Sequence, residues 1–242
     1  MNKHQSLNRR KRHSKQPSNI FDSLNLELRT IKPKTANQQL AFDSFESGIN
    51  QMLLGSPGTG KSFIAIYHAL QALRDGKCNK VMIIRSAVAT RDQGFLPGSE
   101  EEKMAVYEAP YQEIVNELFG RADAYGLLKK HDLVQFESTS FMRGITLHNT
   151  FVVFDEIQNT TAHEASTILT RLASSSRIAL CGDLMQQDLT RNNDRNVYKF
   201  INVIEHMQDY FDTTYFTFDD IVRSGMVKQY IITLHSIYKE GY

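Results

Sequence analysis

The chain has no tryptophan and two cysteines, Cys78 and Cys181, which stand far apart with no His or Cys at metal-ligand spacing. This excludes a disulfide framework and a zinc module. Each thiol is expected to behave as a small buried apolar side chain in a reducing compartment, the cytoplasm. No stretch reaches the ~18 uncharged apolar residues of a membrane span, and the N-terminus has no apolar segment of the secretory kind. A guanine-reading Asn-Lys-x-Asp run is missing too, since Asn79-Lys80 leads only to Val81-Met82. Neither an internal repeat nor a Pro- or Gly/Ser-rich linker divides the chain. Its 41% hydrophobic and 23% charged residues are those of a globular body with a sizeable core.

Charge is unevenly spread. Lys3, Arg9, Arg10, Lys11, Arg12 and Lys15 stand in the first fifteen residues without an acid among them, whereas the whole chain is +1. The rest is therefore net −5. Residues 1–19 read as a basic flexible tail and residues 20–242 as one domain. Such a tail either meets phosphates or is a solvated arm with no specific role.

Along the body, short apolar runs alternate with helical periodicity. Strands are expected over 49–54, 81–84, 133–136, 151–154, 178–181 and 215–218. Helices are expected from Thr35, over 62–75, 100–119 and 162–173, around 197–204, and over 219–239. Thr35-Ala36-Asn37-Gln38 fits a capping box, with Leu40, Ala41 and Phe45 as the apolar face behind it. Residues 86–99 read as a loop. Alternating strands and helices imply an α/β domain with a mostly parallel sheet and helices on both faces.

One element is specific. Gly55-Ser56-Pro57-Gly58-Thr59-Gly60-Lys61-Ser62 fits the phosphate-loop pattern G-x-x-x-x-G-K-[ST] without a mismatch. Glycines allow backbone N–H groups to point at phosphate oxygens. Lys61 supplies charge for the β- and γ-phosphates, and the Ser62 hydroxyl is suited to Mg²⁺. The apolar run before the loop and Phe63, Ile66, Tyr67 and Leu70 after it, at i, i+3, i+4 and i+7, give the strand–loop–helix setting that the motif requires. Gly76 is a plausible stop for that helix. A helix N-terminus adds a dipole that favours anions.

Two further strand ends carry polar groups. Asp155-Glu156 follows the run 151–154. A carboxylate at the carboxyl end of a parallel strand faces the ligand crevice, so Asp155 suits Mg²⁺ as the partner of Ser62, and Glu156 suits the activation of a water. Gly182-Asp183-Leu184-Met185-Gln186 follows the run 178–181. Gln186 could hydrogen-bond the γ-phosphate or the attacking water; the alternative is a polar turn.

These residues resemble the ATPase core of superfamily 1 helicases, and more closely the PhoH family. Phe95-Leu96-Pro97-Gly98, Phe141-Met142-Arg143-Gly144, the residues 155–161, Leu169-Thr170-Arg171, the residues 182–188 and Asp220-Ile221-Val222-Arg223 run in that family's order over roughly 35–240. Two departures stand out: Ser86 follows Arg85, and Thr190 follows Asp188-Leu189, where the family often has proline. The resemblance implies a single RecA-like P-loop NTPase domain that hydrolyses ATP with Mg²⁺. It makes Gln38 a reader of the adenine edge, in competition with the helix cap at Thr35, and Arg223 a γ-phosphate-sensing arginine. At 242 residues the chain is short for two RecA-like domains. A ring, with a hexamer as its expected form, would let a neighbour complete the site; Arg223, Arg171 and Arg143 are the candidate trans arginines. Arg85, Arg91, Arg143 and the tail are candidate contacts to single-stranded RNA or DNA. Two other functions fit part of the pattern, a small-molecule P-loop kinase and a non-catalytic ATP-gated assembly protein. PhoH-like proteins occur in bacteria and in their phages, and the residues do not choose between the two.

Overall fold

The computed structural model describes residues 19–86, 100–142, 144–183 and 197–239. The elements follow in the order α1 (Ile20–Ser23), α2 (Ala36–Ser47), β1 (Asn50–Gly55), α3 (Lys61–Arg74), β2 (Lys80–Arg85), α4 (Glu100–Phe119), α5 (Ala124–Lys130), β3 (Val134–Ser138) and β4 (Thr150–Asp155). After these come α6 (Ala162–Leu169), β5 (Arg177–Gly182), α7 (Val197–Glu205), β6 (Phe211–Phe216) and α8 (Gly225–Lys239). Among the described residues the six strands form one sheet in the order β3-β2-β4-β5-β1-β6, and every neighbouring pair is parallel.

The unbroken apolar runs have a simple cause. Leu53, Ile83, Val153 and Cys181 pack on one face of the sheet with Phe45, Leu70, Val115 and Leu128 of α2 to α5. Their neighbours Met52, Leu54, Ile84, Phe154 and Leu180 pack on the other face with Ile168 of α6 and Phe200 and Ile204 of α7. A strand covered on both sides has no polar face to alternate with. Because all strands run one way, their carboxyl ends share one edge. Since β5 lies between β1 and β4, Gly182 and Asp183 emerge between the phosphate loop and Asp155.

Local chemistry sets several helix ends. Thr35 Oγ1 accepts the N–H of Gln38 at 3.3 Å to open α2, a cap worth about 1 kcal/mol. Gly48 closes that helix in the left-handed region. Gly76, at φ 68°, follows the end of α3 as its position implies. Elsewhere the boundaries differ from expectation. The strand expected over 215–218 is Phe211–Phe216, an edge strand whose exposed Asp212 and Tyr215 dilute the apolar run. The last helix starts at Gly225, because Thr217 caps a 3₁₀ turn, Phe218–Asp220, first. Helix α6 stops at Leu169, and Leu172 pairs with Leu147 instead. Leu40 faces outward, and α5, which contains Gly126, has no counterpart in the expected elements. The expected loop falls mostly outside the described residues.

One polar pair lies inside the core. His68 Nδ1 and Gln51 Oε1 are 3.0 Å apart, and Gln51 Nε2 donates to Ala41 O at 2.6 Å. The Gln51 oxygen can only accept, so Nδ1 carries the proton. The other ring nitrogen, Nε2, is buried without a hydrogen-bond partner. Burial, and then the charge of Arg177, depress the His68 pKa to about 3. Both cysteines are buried and free. Among the described residues no helix is long and apolar enough to cross a membrane.

Candidate functional site

The phosphate loop leaves β1 through Gly55, where a side chain is impossible: a Cβ would stand 2.1 Å from Phe216 O of the adjacent strand. Gly58 and Gly60 take φ of 78° and 88°, the left-handed region that L side chains disfavour. Lys61 then opens α3. Its ammonium donates to Gly55 O and Ser56 O, each at 2.7 Å, curling over the loop. Burial lowers its pKa, countered in part by nearby acidic groups, Asp183 foremost.

Ser62 Oγ donates to Asp155 Oδ1 at 2.9 Å. The same oxygen accepts the N–H of Glu156 at 3.0 Å. Asp155 Oδ2 accepts the hydroxyl of Tyr111, from α4, at 3.0 Å. An ionised carboxylate only accepts, so the Ser62 proton points at Asp155 and the hydroxyl lone pairs remain for a cation. Among the described residues no group of three or more His, Cys, Asp or Glu side chains gathers for a metal. A hydroxyl beside one carboxylate is too few ligands for a protein cage. It suits Mg²⁺, which keeps waters and takes phosphate oxygens as further ligands. The residues therefore fit a Mg²⁺–nucleotide.

Glu156 takes φ 55°, an uncommon backbone for this residue. Its Oε2 accepts from Gln158 Nε2, and more distantly from Asn159 Nδ2 at 3.5 Å. Burial and then the Asp155 charge raise the Glu156 carboxyl above its ordinary range. Gln158 Oε1 in turn accepts the N–H of Asp183 at 2.9 Å. Gly182 packs against the turn that carries Gln158, for a Cβ there would meet Ile157 Cγ1 at 2.6 Å.

A cavity of about 550 Å³ opens over these groups, its walls including Gln38, Gly58, Lys61, Ser62, Glu156 and Arg223. Apolar side chains of Ile31, Phe42, Phe63 and Ile114 and the acids Glu113 and Glu117 of α4 complete it. Gln38 does not close the expected capping box with its side chain. Oε1 accepts from Lys34 N at 2.8 Å and Nε2 donates to Thr59 O at 3.0 Å, so the amide braces the phosphate loop from the cavity side. Arg223 lies over its own chain's loop: a Cβ on Gly58 would stand 2.9 Å from Arg223 Cγ, and Val222 N donates to Gly58 O at 3.1 Å.

The structure thus brings together Gly55, Ser56, Pro57, Gly58, Thr59, Gly60, Lys61, Ser62, Gln38, Asp155, Glu156 and Arg223 at one edge of the sheet. Arg85 ends β2 opposite Asp155 in register, its guanidinium 5.5 Å from the Tyr107 ring centre. Arg171 is not brought there. Its carbonyl accepts from Leu147 N at 2.8 Å, at the edge where the strands begin. Gln186, Arg91 and Arg143 lie outside the described residues. The sequence pattern assigns no role to Tyr111 and none of its own to Gln158. A usable signal existed for Tyr111. It forms a buried i, i+4, i+7 stripe with Val115 and Leu118, and a buried tyrosine hydroxyl demands a partner.

A family profile described as PhoH-like protein matches residues 30–235. A PhoH-like protein of Mycobacterium leprae is 30% identical over 213 residues, 88% of this chain and 60% of that protein. One from Bacillus subtilis is 33% identical over 168 residues, 69% of this chain and 52% of the relative. The chain spans about 60% of the length of the first curated relatives it matches. Among solved structures, the large terminase of a thermophilic bacteriophage is similar with a TM-score of 0.50 at 11% identity, over 82% of this chain and 50% of that one. At that identity the likeness is one of fold alone, in keeping with the RecA-like P-loop fold expected from the sequence.

Proposed function

The chain belongs to the PhoH-like protein family, and from that premise we propose that it is a Mg²⁺-dependent ATPase. In this reading hydrolysis is coupled to binding or remodelling of single-stranded nucleic acid, RNA foremost, by a ring of subunits, six in number. Residues 20–242 act as the ATPase domain in the cytoplasm and residues 1–19 as a basic arm. The observation that carries the catalytic part is the convergence of Lys61, Ser62, Asp155 and Glu156 on one cavity lined by the phosphate loop.

The residues divide the work. The amides of Gly58 to Ser62 and the α3 N-terminus hold the phosphates. Lys61 leaves the carbonyls of Gly55 and Ser56 for the β- and γ-phosphates, exchanging two neutral acceptors for charged ones. Ser62 and Asp155 hold Mg²⁺, which when bound neutralises charge on the terminal phosphates. Glu156 orients a water and takes its proton. Arg223 offers charge to the γ-phosphate from the same chain, and Gln186 distinguishes triphosphate from diphosphate. Gln38 keeps one amide proton and one lone pair for the adenine edge while it braces Thr59.

Nucleic-acid contact rests on Arg85 beside the site and on the basic arm. A head-to-tail ring would set the edge that carries Arg171 against a neighbour's site; Arg143 is the other candidate trans arginine. The test is ATP turnover with and without single-stranded RNA or DNA, for the wild type, Lys61→Ala and Glu156→Gln. Phosphate released to water, stimulated by RNA and lost in both variants, is expected. Transfer of phosphate to a metabolite would replace this reading with a small-molecule kinase. No turnover in an assembled ring would replace it with an ATP-gated assembly protein.

A further inference from the structure

Helix α4 contributes a group to the cation site that no phosphate-loop pattern contains. The Tyr111 hydroxyl donates to Asp155 Oδ2 at 3.0 Å, and both residues are buried, at 2% and 5% exposure. The ring is fixed by packing. It contacts Phe136 of β3 with ring centres 5.5 Å apart, and it belongs to the core cluster of Val115 and Leu118. The other Asp155 oxygen already serves Ser62 and the Glu156 N–H. A carboxylate with donors on only one oxygen can turn about its terminal torsion, a broad and soft coordinate. Donors on both oxygens hold its plane.

We propose that Tyr111 is a positioning residue for the divalent cation. By holding Oδ2 it keeps Oδ1 turned toward Ser62, and so it sets the affinity of the site for Mg²⁺. The same helix turn forms the cavity wall through Pro110, Glu113 and Ile114. Seating of the nucleotide against α4 and orientation of the metal-binding carboxylate are therefore one mechanical unit. The inference rests on the reading above in which Ser62 and Asp155 hold Mg²⁺. The opposing view is that Tyr111 is a core residue whose hydroxyl needs any acceptor.

The test is a Mg²⁺ titration of the binding of a fluorescent ATP analogue to wild type, Tyr111→Phe, Asp155→Asn and the double variant. Tyr111→Phe deletes one oxygen and keeps the ring. It is expected to raise the Mg²⁺ midpoint by about 10-fold or more, the usual effect of losing an outer partner of a metal-binding group. Binding of the analogue in EDTA should stay at the wild-type value, and the melting temperature without Mg²⁺ should fall modestly, because one buried carboxylate oxygen loses its donor. In the Asp155→Asn background the same substitution should change the midpoint less than about twofold, because its action runs through Asp155. An unchanged midpoint in folded Tyr111→Phe, or an equal rise in both backgrounds, overturns the proposal. If Tyr111→Phe does not fold, Tyr111→Met, which also lacks the hydroxyl, is subject to the same criterion. Wild-type binding indifferent to Mg²⁺ would instead remove the Ser62–Asp155 reading itself, and this inference with it.

Discussion

Gln158 Oε1 accepts the backbone N–H of Asp183 at 2.9 Å. A single buried amide thereby ties the end of β5 to the turn after β4, and its other end, Nε2, faces Glu156. The two bonds fix which way the amide points, since only the oxygen can take the Asp183 proton. Any shift of the β5 end is felt at Glu156 through one planar group.

Replacing Gln158 with Leu leaves the Asp183 N–H and one Glu156 oxygen without these partners. Stability should fall by about 1–3 kcal/mol, the cost of orphaned buried polar groups. Turnover should fall about 10-fold with little change in KM, because the base loses its orientation and the phosphate loop does not. Thermal melts and steady-state kinetics on the same samples check both halves. A raised KM with unchanged kcat would place Gln158 in substrate binding instead.

Glu156→Gln keeps the shape of the side chain and removes its basicity. A general base contributes about 10² to 10⁴ in rate, so turnover should drop by that range while nucleotide affinity stays within a fewfold. Single-turnover hydrolysis alongside equilibrium binding separates the two. Equal losses in both would mean that Glu156 supports binding rather than chemistry.

Arg223 rests on Gly58 of its own loop, and the proposed charge at the γ-phosphate is therefore supplied in cis. Arg223→Ala should cost on the order of 10³ in turnover. Mixed assemblies of Arg223→Ala and Glu156→Gln subunits should recover nothing, since each subunit lacks one half of its own site. Activity returning on mixing would show that the arginine serves a neighbour. Gly58→Ala should lower turnover as well, because an L residue is strained at φ 78° and its Cβ would also enter the space of Arg223 Cγ.

His68 predicts an acid limit to stability. Its pKa is depressed to about 3 in the fold against about 6.5 unfolded, so between those values the unfolded chain binds the extra proton. Stability contributed by the neutral ring is fully present above pH 6.5. It is lost as pH falls, by about 1.4 kcal/mol per unit, hence about 2 kcal/mol between pH 6.5 and 5. The plateau comes only below about pH 3. A second N–H on the ring would find no acceptor at the buried Nε2, which is the local reason. His68→Gln keeps a donor for Gln51 and should flatten this slope in denaturant melts at pH 5 and 7.5. An unchanged slope would assign the acid sensitivity to other groups.

The residues whose roles depend on near neighbours were legible before any fold was known. The loop of Gly55 to Ser62 is built by its own glycines and by the strand and helix that flank it. Met52 to Leu54 and Val152 to Phe154 announce buried strands because both sheet faces are covered. Thr35 announces the start of α2. Boundaries slipped where local signals were weak: β6 carries polar residues on an open edge, and Gly225 follows a capped 3₁₀ turn that periodicity does not register.

Contacts between distant positions were not legible. Tyr111 and Asp155 are 44 residues apart, and they meet because α4 packs on the sheet face beside β4. Gln158 finds Asp183, and Arg223 finds Gly58, because strand order places β5 between β4 and β1 and sets β6 on the far side of β1. The sequence by itself determined the phosphate loop, the paired acids and the parallel α/β plan, since these follow from backbone conformation and hydrophobic periodicity within a few residues. The tertiary structure decided which arginine lies over the loop and which hydroxyl holds the Asp155 carboxylate. Those contacts depend on sheet order and helix packing, which no short window of residues contains.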